Sequence, residues 1–281
     1  MAMTVNPVRQ MKKLEKDLRR WCADPTTDWR DKLDKSLHKE FASTRPRAAA
    51  VAAGQLDTLA HWHAQHGALA ILEGRVEGWA SIDRTLHYRW WVLRIQRDTT
   101  QVGDVALLLA HALAFEEDSM AEWVAEMFIR SLDTAAPYVW TGVRFGAFLL
   151  KLWSMHRGLP EIKVTRPDVT TLGVYQRVLD AWSNPVELRA ALSAACDHHL
   201  SQSWSGNWVE FGDSPYQMLP VDILAIARVR RDLGLEMPTV EHPLLSTPLA
   251  TLPPREQRPR MPQPDPLLEK VIQKAKDTGF L

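Results

Sequence analysis

The sequence predicts an all-α fold, and three observations carry that reading. Apolar residues recur with helical periodicity from residue 7 to about 234. Strand signals are weak; the best, "EIKVT" at 161–165, is too short to build a sheet on. Glycine is scarce, 13 in 281 residues, which disfavours turn-dense β architectures and glycine-rich phosphate loops. The expected architecture is a multi-helix bundle of antiparallel helical hairpins, closed by a proline-rich C-terminal strap and a short terminal helix. Residues 1–236 are drawn as the helical domain and 237–281 as the strap and last helix packed on it.

Taken in order, helices are expected near 7–23, 28–42, 47–66 and 68–96, the last long enough to be broken. The next, 102–115, contains "VALLLAHALAF", apolar nearly all round and therefore central. In 117–134, Met120, Trp123, Val124, Met127, Phe128 and Leu132 form one buried stripe. Only "EED" separates these two, a spacing that suits a helical hairpin. Helices near 138–157 and 169–182 follow. Asn184 before Pro185 is a start signal for 185–202, since Asn caps free N–H groups and Pro fits the first turn. The helix at 220–233 is stopped by Gly234 and carries Arg228, Arg230 and Arg231 near its negative end. No 34-residue helix-pair consensus recurs, so a tetratricopeptide array is not supported.

Of 18 prolines, nine fall between Pro238 and Pro266, so this stretch should be extended and irregular. "HPLLSTPLATLPP" still carries Leu and Ala residues that need cover, which is why a strap rather than a free tail is expected. "PDPLLEKVIQKAKD" places Leu267, Leu268, Val271, Ile272 and Ala275 on one side of a final helix.

With 46% apolar and 24% charged residues, the composition is that of an ordinary globular chain. Formal net charge is zero, 34 basic against 34 acidic, which argues against a dedicated nucleic-acid binder. The balance is uneven: residues 1–50 carry twelve Lys/Arg and seven Asp/Glu, while 98–136 carry eight acids and only Arg130. The N-terminus turns polar too early for a signal peptide, and no apolar run reaches the roughly 18 residues of a membrane span. Cys22 and Cys196 make no disulfide framework. Together these predict a cytoplasmic protein. Tryptophan is abundant, 12 residues, most of them expected as wedges between helices.

Chemistry-bearing patterns were weighed in turn. In "HWHAQH", His61 and His63 sit about 200° apart on a helix and cannot grip one ion together. His63 with His66, and Cys196 with His199, can each share a face, so a four-ligand zinc site joining them is conceivable, but histidines on helix surfaces or bonded in the core are the usual explanation. Nucleophile-elbow, phosphate-loop, dinucleotide and H-E-x-x-H signatures are absent. No catalytic residue, metal or cofactor is therefore expected. Glu116, Glu117 and Asp118 are consecutive at a helix–helix turn, where they read as a solvated turn or as part of an acidic contact surface. "SQSWSGNWVEFGDSP" lies in a long loop between two helices, and long loops in compact domains are often functional. Its aromatics among Gly, Ser, Asn and acids resemble a binding surface, although the rings could equally fold down as plugs.

At "PYQMLPVDILAIARVRRDLGLEMPTVEHPLL" the chain resembles cytoplasmic immunity proteins of bacterial toxin systems, including those encoded beside type VI secretion effectors. "HALAFEEDSMAEWVAE" is similar to the helix pairs of the immunity 49 class, and the C-terminal part to the DUF1911 class. The resemblance implies a protein that binds a cognate toxin and occludes its active site, with no nucleic-acid or membrane partner. Two contact regions are expected: Trp204, Trp208, Glu210, Phe211, Asp213 and Tyr216 of the loop, and an acidic zone of Asp104, Glu116, Glu117, Asp118, Glu122 and Glu126. The alternatives are an all-α metal-dependent hydrolase and a helical scaffold with a peptide-binding groove.

Overall fold

The computed structural model describes residues 6–25, 30–96, 102–134, 143–160, 162, 171–204 and 209–281. Their regular structure is helical: α1 (Pro7–Ala23), α2 (Arg30–Ala42), α3 (Ala48–Leu72), α4 (Gly78–Ile95), α5 (Val102–Ala114), α6 (Asp118–Thr134), α7 (Val143–Arg157), α8 (Val174–Asp180), α9 (Pro185–Ser201), α10 (Val221–Asp232) and α11 (Pro266–Asp277). The protein is all-α. No helix among the described residues is long and apolar enough to cross a membrane. Of "EIKVT", only Ile162 is described, and it lies in no regular element; the starts expected for helices at 28, 138 and 169 also fall outside the described residues.

The chain divides into two compact units, one of Met1–Leu14 with Gln101–Arg255, the other of Glu15–Thr100 with Glu256–Leu281. The division falls inside the proline-rich segment, not at 236/237 where composition changes. Leu244 and Leu249, each in a short 3-10 turn, are sealed within the first unit. Met261 joins the core of the second, with Leu268, Val271 and Ala275 of α11.

In the second unit α3 continues through Gly67, where a break between two helices was expected. Gly67 is a contact residue, not a stop. A Cβ there would lie 2.9 Å from the Gly78 carbonyl oxygen, and a Cβ at Gly78 would lie 2.6 Å from that of Gly67. The two backbones touch because both side chains are missing, which offsets the roughly 1 kcal/mol that glycine costs a helix. The chain turns instead at Gly74, whose φ of 78° suits a residue without Cβ. Further along, the Thr85 hydroxyl donates to the Ala60 carbonyl at 3.1 Å and Gln96 Nε2 to that of Ala50 at 2.7 Å.

Two buried aspartates fasten the C-terminal segment to this unit. Asp83 Oδ2 accepts from Met261 N at 2.8 Å, and its other oxygen lies 3.1 Å from Arg260 Nε. Asp265 caps α11 through Leu267 N and Leu268 N, and accepts from the Tyr88 hydroxyl at 3.0 Å. Lys274 of α11 reaches back to donate to the Phe41 and Ser43 carbonyls at the end of α2.

In the first unit α5 is buried nearly all round, against α6, α7 and α10. The ring of Phe128 on α6 rests on the α7 backbone at Gly146, where a Cβ would come within 2.1 Å of it. Asn184 accepts from Val186 N and Glu187 N, so the predicted cap of α9 forms, and Gly234, at φ 71°, ends α10. Among the nine described tryptophans only Trp204 is exposed.

Candidate functional site

The described residues between α9 and α10, 202–204 and 209–220, include Tyr216, which joins a sealed polar network with α5, α8, α9 and α10. Its centre is His199, on the apolar stripe of α9, where helical spacing places it below Leu188, Leu192 and Ala195. His199 Nδ1 meets Asp222 Oδ1 at 2.9 Å, with both side chains fully buried. Its Nε2 donates to the Tyr216 carbonyl at 2.8 Å. The second Asp222 oxygen accepts from the Tyr175 hydroxyl at 3.1 Å. Tyr216, also buried, places its hydroxyl 3.1 Å from His111 Nδ1 on α5. Phe211 stacks on the His199 ring with centroids 3.8 Å apart. Burial, then the Asp222 and Glu210 charges, push the Tyr175 phenol well above its ordinary value. Burial, with Asp222 and Asp197, likewise raises the Cys196 thiol, which keeps it protonated and unreactive.

This arrangement sorts the predicted loop residues. Phe211 and Tyr216, expected as contact aromatics, are 0% and 1% exposed. They plug the unit's core because an apolar ring gains more from burial there, about 1.5–3 kcal/mol, than it would on the surface. Glu210 is half-buried and accepts from His198 Nε2 at 2.8 Å. Burial opposes charge on His198, but the hydrogen bond and charge of Glu210, with Asp222, outweigh it and raise the imidazolium pKa. Asp213 accepts from Ser214 N at 2.8 Å and shapes the turn locally. Trp208 lies outside the described residues. Trp204 is 48% exposed although the chain beside it is pinned: the Ser203 hydroxyl donates to the His199 carbonyl, the Ser203 carbonyl accepts from Gln10 Nε2, and Phe211 N donates to the Gln202 carbonyl.

The second predicted region is largely neutralised from within the same unit. Glu116 pairs with Arg231 at 3.1 Å and Glu117 with Arg255 at 3.6 Å. Asp118 faces Arg228 at 3.2 Å and His156 at 3.5 Å. Glu122 meets Arg157 at 3.5 Å and Glu126 meets Arg130 at 3.8 Å. Asp104 stands exposed at the start of α5. Apart from Arg130 on α6, the bases come from α7, α10 and the proline-rich segment, so the acidic run of 98–136 is largely compensated. Glu116 also takes φ 64° to close the α5–α6 turn, a left-handed conformation that glycine adopts at lower cost.

The "HWHAQH" histidines belong to an aromatic cluster of the second unit. Trp62 lies 4.0 Å from the His66 ring, Trp21 approaches the His61 and His66 rings at 5.8 Å each, and Arg30 covers Trp62 at 4.3 Å. Burial, aided by Arg84, Arg30 and His66, lowers the His63 pKa to about 3. Among the described residues, no three His, Cys, Asp or Glu converge in a way that could hold a metal ion. A cleft of about 830 Å³ opens in the first unit between α10 and the segments 234–237 and 250–254; Leu224, Leu235, Met237 and Leu252 line it, and the Glu116–Arg231 pair stands at it.

Sequence reasoning missed Asp222 as the partner of His199, Tyr175 as the second partner of Asp222, and His111 as the partner of the Tyr216 hydroxyl. The available signals were single polar residues in otherwise apolar stretches: His111 within "VALLLAHALAF" and Asp222 within "PVDILAIA". Fold and site together define an all-α protein that seals a polar network beneath a pinned, exposed tryptophan. The chain matches no protein-family model, no curated protein and no solved structure.

Proposed function

We infer that this protein is a binding protein that neutralises a folded partner by occlusion, as the immunity proteins of bacterial toxin systems do, and that it acts in the cytoplasm. The observation that carries this reading is Trp204, a half-exposed indole that directly follows Ser203, which hydrogen bonds to Gln10 and His199 hold in place. A large ring displayed on a fixed support loses little conformational entropy on association, which is the character of an interface hot spot. The groups with the greatest chemical potential in the same unit, His199, Asp222, Tyr175 and Cys196, are fully buried or nearly so and serve the fold. They support the loop rather than face a substrate.

The test is rescue of bacterial growth when the chain is co-expressed with the product of the gene beside its own. Wild type should restore growth. Trp204→Ala should lose it while melting unchanged, with a truncated tryptophan hot spot costing about 2 kcal/mol or more, roughly 30-fold in Kd. Failure of wild type to rescue, or full rescue by Trp204→Ala, would overturn the reading.

A further inference from the structure

We propose that Trp204 and the first turns of α1 form one docking face, and that the partner it fits is a polypeptide surface presenting carboxylates beside apolar or aromatic side chains. This rests on the binding role above and gives the partner its chemistry. Gln10 Nε2 donates to the Ser203 carbonyl at 3.0 Å, so the residue preceding Trp204 is tied to α1. Lys13 stands three residues on from Gln10, about 5–6 Å away on an adjoining strip of the helix. Arg9, Lys12 and Lys13 are all exposed, and no ion pair among the described residues engages their side chains. Val8, 51% exposed, adds an apolar edge.

Four of the acids expected to meet a partner, Asp118, Glu116, Glu117 and Glu122, pair within the unit with Arg228, Arg231, Arg255 and Arg157. The unsatisfied charge of this surface is therefore positive, and a complementary partner face is acidic. A membrane fits less well, because Met11 and Leu14 of these turns are buried in the protein and the exposed Val8 alone leaves no apolar stripe along the helix. Single-stranded nucleic acid fits less well than protein: the chain's formal net charge is zero, and such binders rely on surplus cations along a groove.

The full chain is titrated with a random glutamate–tyrosine copolymer, an acidic and aromatic polypeptide probe, and separately with oligo(dT). Wild type should bind the copolymer, more weakly as salt rises. Lys12→Glu/Lys13→Glu and Trp204→Ala should each weaken binding about 10-fold or more. Lys270→Glu/Lys276→Glu makes the same charge change on α11 and should bind as wild type. No binding by wild type, equal binding by Lys12→Glu/Lys13→Glu or by Trp204→Ala, an equal loss in the α11 variant, or tighter binding of oligo(dT) would each overturn the proposal. Growth rescue is scored separately, so failure of the immunity role leaves the titration to decide the face by itself.

Discussion

Removing the Asp222 carboxylate should destabilise the first unit by about 3–5 kcal/mol, the usual result of breaking a buried charged pair from one side. The value follows from what the carboxylate holds. His199 Nδ1 lies 2.9 Å from one oxygen and the Tyr175 hydroxyl 3.1 Å from the other, with no solvent exposure at either acid or imidazole. His199 Nε2 faces a carbonyl that only accepts, so that nitrogen is the donor there, while Nδ1 makes the hydrogen bond to Asp222. In Asp222→Ala a buried imidazole and a buried phenol lose their partner. Tyr175→Phe removes only the hydroxyl and should cost about 1 kcal/mol. An apolar pair, His199→Phe with Asp222→Leu, should recover most of the loss, since replacing both partners leaves nothing stranded. Urea unfolding followed by circular dichroism measures all three, fitted with as many transitions as the two units display. A loss below about 1 kcal/mol for Asp222→Ala, or a larger loss for the apolar pair, would refute the argument.

Two further outcomes test the units separately. The His63 pKa falls from 6.5 to about 3, so the folded chain binds fewer protons there than the unfolded chain. Stability from this site is complete above about pH 6.5 and is lost as pH falls toward 3, with at most about 2 kcal/mol gone by pH 5. His63→Leu, which also removes a buried Nδ1 without a hydrogen-bond partner, should flatten the acid limb of Tm against pH; parallel curves would contradict this. Gly146→Ala should lower stability by about 1–3 kcal/mol despite alanine's better helix propensity, because its Cβ would meet the Phe128 ring at 2.1 Å. Adding Phe128→Leu should make room and restore part of the loss; thermal melting that shows no such recovery would place the strain elsewhere.

Helix identity was legible because it is local. The stripe of α6, the cap at Asn184 and the stop at Gly234 each depend on residues within a turn or two. The end of α3 was misread because a glycine has two uses in a helix pair. Gly67 serves close approach to Gly78, while Gly74 serves the turn, and nothing within a few residues of either tells them apart. The docking of the C-terminal segment was legible as a need for cover, from its leucines. Its fastening by Asp83 and Asp265 was not, because hydrogen bonds between residues some 180 positions apart leave no local pattern.

The same distinction explains why the proposed face differs in sign from the acidic run read in the sequence. A run of acids in sequence describes a charge source, but the field at a surface is the sum over spatial neighbours. Around Glu116, Glu117 and Asp118 that sum is cancelled by arginines drawn from residues 228–255, more than a third of the chain away. On the first turns of α1 it is not cancelled: the acids nearest in sequence, Glu15 and Asp17, engage Arg19 and Arg20 instead. Arg9, Lys12 and Lys13 keep their charge for whatever approaches, beside an indole that the fold holds outward. A partner selected by this face should therefore be recognised by its own carboxylates, and raising salt should slow its association more than it speeds its release, since the cations lie at the rim and steer the encounter.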